Sequence, residues 1–388
     1  MKRKNLRQLL VASLACCVCV VLSCVGYAWE EENFYSKTII IARPFSLPQS
    51  LQDMRAQTII GSPREYTIQK KDTLLDVARY FDLGYNELVQ AYPDMDPWLP
   101  PVGETLTVPT FWVLPKSGNE GVVVNIPEMR LYYFPPREKG ETQRMVVTLP
   151  VGLGRDDWPT PVAKFKIRGK TANPIWVIPE SIKKERIADK GWSEDSIPGG
   201  SPDNPMGKYK IELTLPMYAI HDTNNPWAVG RLVTHGCIRL YPEDIQQFFN
   251  VIHIGVPGEF VYQPVKIGLL NGKVYAEVHE DIYGLVPDLW LEAQKVARES
   301  GWEDMIDKNL LLKVLLKKNG VPTDVTIGSR SEDQTEEPTE EPETIKEPDQ
   351  ATEPEHIREP ENRKEPAKEF DNTEASNSGA AGAIAAIE

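Results

Sequence analysis

The sequence predicts a mostly β central domain of β-sandwich-like mixed sheets with a short helix. A small α+β domain of βααβ order precedes it, and a C-terminal helical extension and a disordered acidic tail follow. Three observations lead there. Between residues 117 and 268, short alternating or apolar runs recur between Pro and Gly, the pattern of many short strands. Over residues 64–112 strand-like alternation gives way to the i, i+3, i+4, i+7 spacing of an amphipathic helix and then returns. Beyond Ile327, Glu-Pro recurs every six residues with almost no aromatic side chain, so burial cannot offset the conformational entropy of ordering it. The 388 residues suffice for two or three such units, at roughly 100–200 residues each.

The elements follow in chain order. Residues 1–28 read as a signal peptide: Lys2, Arg3, Lys4 and Arg7 precede an apolar run from Leu9 to Val25, and Gly26 and Ala28 are small residues at −3 and −1 of a cleavage site. An uncleaved anchor is the alternative, since the run approaches spanning length. Either way the chain is expected to be exported, to the periplasm or cell envelope. Residues 29–63, with Pro44, Pro48 and Pro63, are expected to be an extended N-terminal segment. In 64–112, Tyr66-Thr67-Ile68 reads as a strand. Asp72 or Thr73 caps a helix carrying Leu74, Val77, Ala78 and Phe81; a second helix runs from Asn86 to Tyr92, and Thr105 to Val108 closes with a strand.

In the central domain, 117–268, strands are predicted at 121–126, 130–134, 144–149, 163–167, 207–213, 217–221 and 258–262, with one helix starting at Pro242. Residues 275–325 are predicted as a helical extension, from the spacing of Leu285, Leu289, Ala293 and Val296 and, past Gly301, of Ile306, Leu310, Leu311, Val314 and Leu315. Residues 328–388 form the acidic tail, with Glu-Pro at Glu341, Glu347, Glu353, Glu359 and Glu365.

Charge and cysteine usage narrow the function. The net charge is −14, but residues 331–375 hold 17 acidic against 5 basic side chains, so the remainder is close to neutral. Without a basic face to displace counterions, nucleic acid is not the expected partner. Neither GxxxxGK[ST] nor a post-strand GxGxxG occurs, and no cofactor is expected. Of five cysteines, Cys16, Cys17, Cys19 and Cys24 lie in the signal, leaving Cys237 alone in the mature chain. A lone thiol in an oxidising compartment invites a functional reading.

That thiol lies in the richest constellation of the chain. His221 ends one predicted strand and Cys237 starts another, joined by a connection of 15 residues. A thiol becomes a nucleophile when a neighbouring imidazole takes its proton and a cation or amide dipoles hold the charge. Gly236 permits close backbone approach, so amides around His235 to Cys237 are candidates for an oxyanion hole. On residue types alone two other readings stay open: a structural cysteine with satisfied histidines, or zinc on His221, His235 and Cys237, although no fourth ligand stands at a matching spacing. No metal is expected. His253, His279 and His356 have ordinary packing or surface explanations. Trp158, Trp176 and Trp192 are expected in core packing rather than lining a cleft.

Two resemblances sharpen this. The stretch with Tyr66-Thr67-Ile68, Asp72-Thr73-Leu74, Ala91-Tyr92-Pro93 and Gly103, Leu106, Val108-Pro109 resembles a LysM domain, which implies binding of wall glycan strands. Tyr92 stands where Asn is common and Asp94 where a glycine is, so its binding loop is altered. The run His221, Thr234-His235-Gly236-Cys237-Ile238-Arg239-Leu240 resembles the signature of the periplasmic branch of the YkuD-type L,D-transpeptidases. Similarity continues through Trp158-Pro159-Thr160-Pro161, Trp176 to Pro179, Pro202 to Gly207 and Tyr241 to Ile245, over about residues 120–268.

The resemblance implies a catalytic domain at 117–268 that performs a two-step acyl transfer on peptidoglycan stem peptides. Cys237 would be nucleophile and His221 general base and acid. His235, Gly236 and Thr234 would shape the loop and the oxyanion site, and Arg239 would orient the loop or a carboxylate. The acceptor amine would belong to a second stem, giving a 3-3 cross-link, or to an envelope lipoprotein. An L,D-carboxypeptidase using water, and a non-catalytic peptidoglycan-binding protein, are the alternatives.

Overall fold

The computed structural model describes residues 44–47, 57–136 and 144–329, all within one compact unit. The signal peptide and nearly all of the acidic tail lie outside the described residues, as does most of the extended N-terminal segment. Of that segment, β1 (Phe45–Leu47) and β2 (Ile59–Gly61) are strands rather than featureless chain.

Residues 64–112 have the expected order. β3 (Arg64–Thr67), α1 (Leu74–Tyr80), α2 (Tyr85–Ala91) and β4 (Thr105–Val108) form a βααβ module in which β3 and β4 pair antiparallel. Of the two candidate caps, Thr73 is the one used. Its hydroxyl accepts from the Asp76 amide while the Asp76 carboxylate accepts from the Thr73 amide, a reciprocal capping box. Asp72 instead accepts from the Gln69 amide (2.7 Å) and the Tyr66 hydroxyl (2.6 Å), fastening the strand-to-helix loop. Leu74, Val77, Ala78 and Phe81 are all buried, as their spacing requires. β5 (Phe111–Val113) then pairs with β2.

The central domain supplies β6 (Gly121–Asn125), β7 (Arg130–Phe134), β8 (Arg144–Pro150), β9 (Leu153–Gly154) and β10 (Ala163–Ala172). After them come β11 (Trp176–Val177), α3 (Glu180–Lys190), β12 (Ser196–Ile197), β13 (Tyr209–Leu213) and β14 (Ala219–His221). β15 (Leu232–Thr234), β16 (Ile238–Arg239), α4 (Pro242–Val251) and β17 (Pro257–Val261) complete it. One mixed sheet runs in the order β1-β8-β7-β6-β17-β10-β13-β14-β16, with parallel pairing at β6·β17 and β14·β16.

β6 shows why its sequence is a continuous apolar run rather than an alternation. Val122 and Val124 join the core that also holds Ile245 and Phe248 of α4, whereas Val123 on the other face packs into the core of the βααβ module with Leu74, Leu88 and Trp112. Each of these fully buried side chains contributes roughly 1.5–3 kcal/mol, on both faces of one strand. Polar contacts fix the same junction. Arg79 makes a two-bond ion pair with Glu243 (2.7 and 2.8 Å), Tyr241 Oη donates to the Leu83 carbonyl (3.0 Å), and buried Arg130 binds Glu87 (2.7 Å) over the Trp112 ring.

Two departures from the sequence reading stand out. Helix α3 was not expected: it contains no buried residue and so carries no apolar stripe, although Pro179 before it and Gly191 after it, at φ 80°, mark its ends. The predicted helical extension over 275–325 is α+β instead. β18 (Val265–Leu270), β19 (Lys273–Val278) and β20 (Thr323–Asp324) form a three-stranded sheet against α5 (Leu289–Ser300) and α6 (Lys308–Lys317). An Asn271-Gly272 turn with both residues at positive φ (51° and 78°) joins β18 to β19, the conformation that a tight hairpin of right-handed twist requires. Among the described residues no helix is long and apolar enough to cross a membrane.

Candidate active site

Strand register brings the predicted residues together. β14 and β16 run parallel with Ile220 opposite Ile238 and His221 opposite Arg239. Ile220 and Ile238 are fully buried in the core below. Alternation along each strand therefore puts Ala219, His221 and Arg239 on the opposite face, and Cys237 immediately precedes β16.

His221 is buried, and its Nδ1 lies 2.6 Å from the Asp222 carbonyl. A carbonyl only accepts, so Nδ1 carries the proton and Nε2 keeps its lone pair. Burial, and then the positive charges of Arg239 and Lys210, push its pKa down to about 3 against the partial support of the Asp222 bond. The imidazole is therefore neutral at pH 7. Half-buried Cys237 directs its thiol to the Met217 carbonyl (3.5 Å). Burial raises its pKa, while the Ala219 amide and the charges of Arg239 and Lys210 pull the other way. Both side chains are thus uncharged at pH 7.

The loop before the thiol is tightly determined. Gly236 sits at φ 96°, and a Cβ there would come 2.5 Å from the Tyr218 ring, so only glycine fits. Thr234 Oγ1 accepts from the Gly236 amide (3.1 Å) and donates to the Cys237 carbonyl (2.7 Å). Of the candidate oxyanion amides around His235 to Cys237, that of Gly236 is held by Thr234.

His235 does not share a face with Cys237, since residues 235–237 lie between β15 and β16 and the backbone turns at Gly236. Its Nε2 lies 2.8 Å from Glu185 of α3, and its ring meets the edge of Trp158 at 5.3 Å. Arg155 joins Glu185 at 3.2 Å and grips Asp157 with two bonds, which together tie α3 to the loop.

Arg239 exchanges both backbone bonds with Gly152 (2.9 Å each), and its buried Nε has no hydrogen-bond partner. Burial lowers its pKa, and its positive charge, together with that of Lys210 opposite His221 on β13, bears on both His221 and Cys237. Among the described residues His221, His235 and Cys237 do not converge as metal ligands. The group that does, Glu128, Glu277 and His279, is already bridged by Lys266 at 2.8 and 2.7 Å from the two glutamates.

Several contributors escaped the sequence reading. Glu185 and Arg155 carry no motif signal. Thr160, inside the Trp158-Pro159-Thr160-Pro161 stretch, donates to the Gly236 carbonyl (3.0 Å) and accepts from the Gly154 amide (3.1 Å). The tryptophans expected in the core are not there: Trp192 is 59% exposed, Trp158 36%, and Trp176 is half-buried beneath Arg186. The connection from His221 to Cys237 rests on the βααβ module, where Trp227 stacks on Trp98 (5.0 Å) and Arg231 lies over Tyr85 (3.8 Å).

Comparison with known proteins finds relatives of this chain. Residues 119–267 match the L,D-transpeptidase catalytic domain, YkuD. The probable L,D-transpeptidase ErfK/SrfK of Salmonella typhimurium is 30% identical over 306 residues, spanning 76% of this chain and 97% of that protein. The probable L,D-transpeptidase YbiS of Escherichia coli is 35% identical over 228 residues, spanning 58% of this chain and 72% of that protein. The probable L,D-transpeptidase YcfS of Escherichia coli is 29% identical over 277 residues, 69% and 85% of the two chains.

Proposed function

The chain belongs to the YkuD-type L,D-transpeptidase family, and from that premise we propose that it is a peptidoglycan L,D-transpeptidase of the cell envelope with Cys237 as its nucleophile. The observation that carries the residue roles is the β14–β16 register, with His221 opposite Arg239, Cys237 immediately before β16 and the His221 tautomer fixed by Asp222.

In the first step Nε2 of His221 takes the Cys237 proton as sulfur attacks the carbonyl carbon at the L-centre of the third residue of a tetrapeptide stem. A C–S bond forms. The bond to the terminal D-Ala nitrogen breaks, His221 returns the proton to that nitrogen, and D-Ala leaves with a thioester on Cys237. In the second step an acceptor amine attacks the thioester carbonyl, His221 takes its proton, and the thiolate leaves and is reprotonated. Splitting one amide exchange this way is the general advantage of covalent catalysis. A neutral base with a free lone pair is already in the protonation state the first step needs.

The Cys237 amide is the donor assigned to the developing oxyanion, because that of Gly236 is held by Thr234. Arg239, with its unpaired buried Nε, is assigned to a stem carboxylate. Thr234 and His235 hold the loop. The βααβ module over 64–112 is assigned to the glycan strand as a LysM-like unit, and the acceptor amine to a second stem or to the lysine of an envelope lipoprotein. Export by the segment 1–28 brings the chain to its substrate.

The test is intact-protein mass spectrometry after incubation with a disaccharide tetrapeptide, wild type beside Cys237→Ala. An acyl adduct that requires Cys237 and turns into cross-linked product when amine acceptor is added is the expected result. Release of D-Ala with only water-cleaved product means a carboxypeptidase, and no adduct at all means a binding protein.

A further inference from the structure

One hydroxyl from the C-terminal segment reaches back into the nucleophile loop. Tyr283 lies past residue 267, where the match to the catalytic domain ends. Its side chain packs, with that of Ile282, against the catalytic core and not against the core of the C-terminal sheet and helices. Tyr283 Oη donates to the Gly154 carbonyl (2.7 Å) and accepts from the Thr160 amide (3.2 Å). Thr160 Oγ1 in turn holds the Gly154 amide and the Gly236 carbonyl, and Thr234 Oγ1 spans from the Gly236 amide to the Cys237 carbonyl. One residue, Thr160, thus stands between Tyr283 and the Gly236–Cys237 peptide.

The tyrosine is itself fixed. Its amide donates to Tyr262 Oη (2.8 Å), the two rings stack at 6.1 Å, and Tyr262 donates to Asp281, whose carboxylate also accepts from the amides of Leu285 (2.9 Å) and Val286 (2.8 Å). There is no slack at the other end: a Cβ on Gly154 would lie 2.9 Å from the Gly236 Cα, so the two backbones are already in contact.

We propose that Tyr283 is a positioning residue for acyl transfer, setting the Gly236–Cys237 peptide against His221 through Thr160, so that the working unit extends past residue 267 into the C-terminal segment. The inference rests on the function proposed above for Cys237. A nucleophile misplaced by about 1 Å can cost on the order of 10²-fold in rate, which makes a half-buried hydroxyl at this position kinetically visible.

The experiment compares Tyr283→Phe with wild type in the full chain, with Thr326→Val as control. Thr326 Oγ1 accepts from the Val274 amide within the C-terminal unit, away from the relay. For Tyr283→Phe the expectation is a kcat lower by about tenfold with KM within twofold, and faster alkylation of Cys237 by iodoacetamide as the loop relaxes. Thr326→Val leaves both readings at the wild-type level. The proposal is overturned if Tyr283→Phe keeps wild-type kcat and alkylation rate, or if Thr326→Val lowers kcat as much. Should the wild type fail to turn over the tetrapeptide, the proposed function fails, and the alkylation arm alone decides the positioning.

Discussion

At Gly236 the backbone takes a conformation that side-chain-bearing residues enter at a cost of about 1–3 kcal/mol, and the Tyr218 ring closes the space a Cβ would need. Gly236→Ala is therefore expected to displace Cys237, with adduct formation slower by about 10²-fold; an alanine variant within threefold of wild type by mass spectrometry would contradict this. His221 gives two pH predictions. With its pKa near 3 the imidazole stays neutral between pH 5 and 8, and with its pKa raised the thiol stays protonated, so the population of the neutral pair, and with it the acylation rate, is flat through that window with no inflection at 6.5. A pH–rate profile that falls below 6.5 with the slope of one proton would refute the neutral pair. For stability, a folded-state pKa below the unfolded value means that the unfolded chain binds a proton the folded one refuses, so the His221 contribution is lost as pH falls from about 6.5 toward 3. Buried Asp244, pushed up to about 7 by desolvation and the Glu243 charge beside Asp82, acts in the opposite sense. The His221 slope is accordingly read as the difference between wild type and His221→Gln in denaturant titrations at pH 7, 5 and 4, with the variant expected to gain on wild type as pH falls.

Helix α3 contributes no buried side chain and is held by polar tethers: Glu185 to His235 and Arg155, Lys183 to Asp195, and Arg186 to Glu194. Exposed ion pairs contribute little each, about 0–1 kcal/mol, so this helix opens before the sheet beneath it. Glu185→Gln, which removes the charge shared by His235 and Arg155, should speed amide exchange across 180–190 while β13 keeps its protection. Equal exchange in the two proteins would show that the tethers do not hold the helix. The same element explains what could be read beforehand. Helix α1 was legible because Leu74, Val77, Ala78 and Phe81 repeat at the helical period; α3 was not, because no core pulls on one of its faces. β18 and β19 carry a local signal in the Asn271-Gly272 turn, outweighed in the sequence by the helical spacing that follows it.

Across the whole molecule the βααβ module and the catalytic sheet share one core, through Val123, Tyr132 and Phe134 on one side and Leu74, Leu88 and Trp112 on the other. The described residues should therefore unfold together. Leu88→Ala is expected to cost about 2–5 kcal/mol and to lower a single melting transition; a second, earlier transition in calorimetry would mean that the module melts alone. By itself, the sequence determined the βααβ order, most strands of the central sheet, the helix after Tyr241 and the His221, Cys237 and Arg239 constellation. Each is written locally, as a burial period or as residue types within one short stretch. Only the tertiary structure decided the His221 tautomer, the engagement of the Gly236 amide, the partnership of Glu185 with His235 and the reach of Tyr283 to Gly154. These are hydrogen bonds between polar groups far apart in the chain, and no period in the sequence records which donor will meet which acceptor once the core has closed.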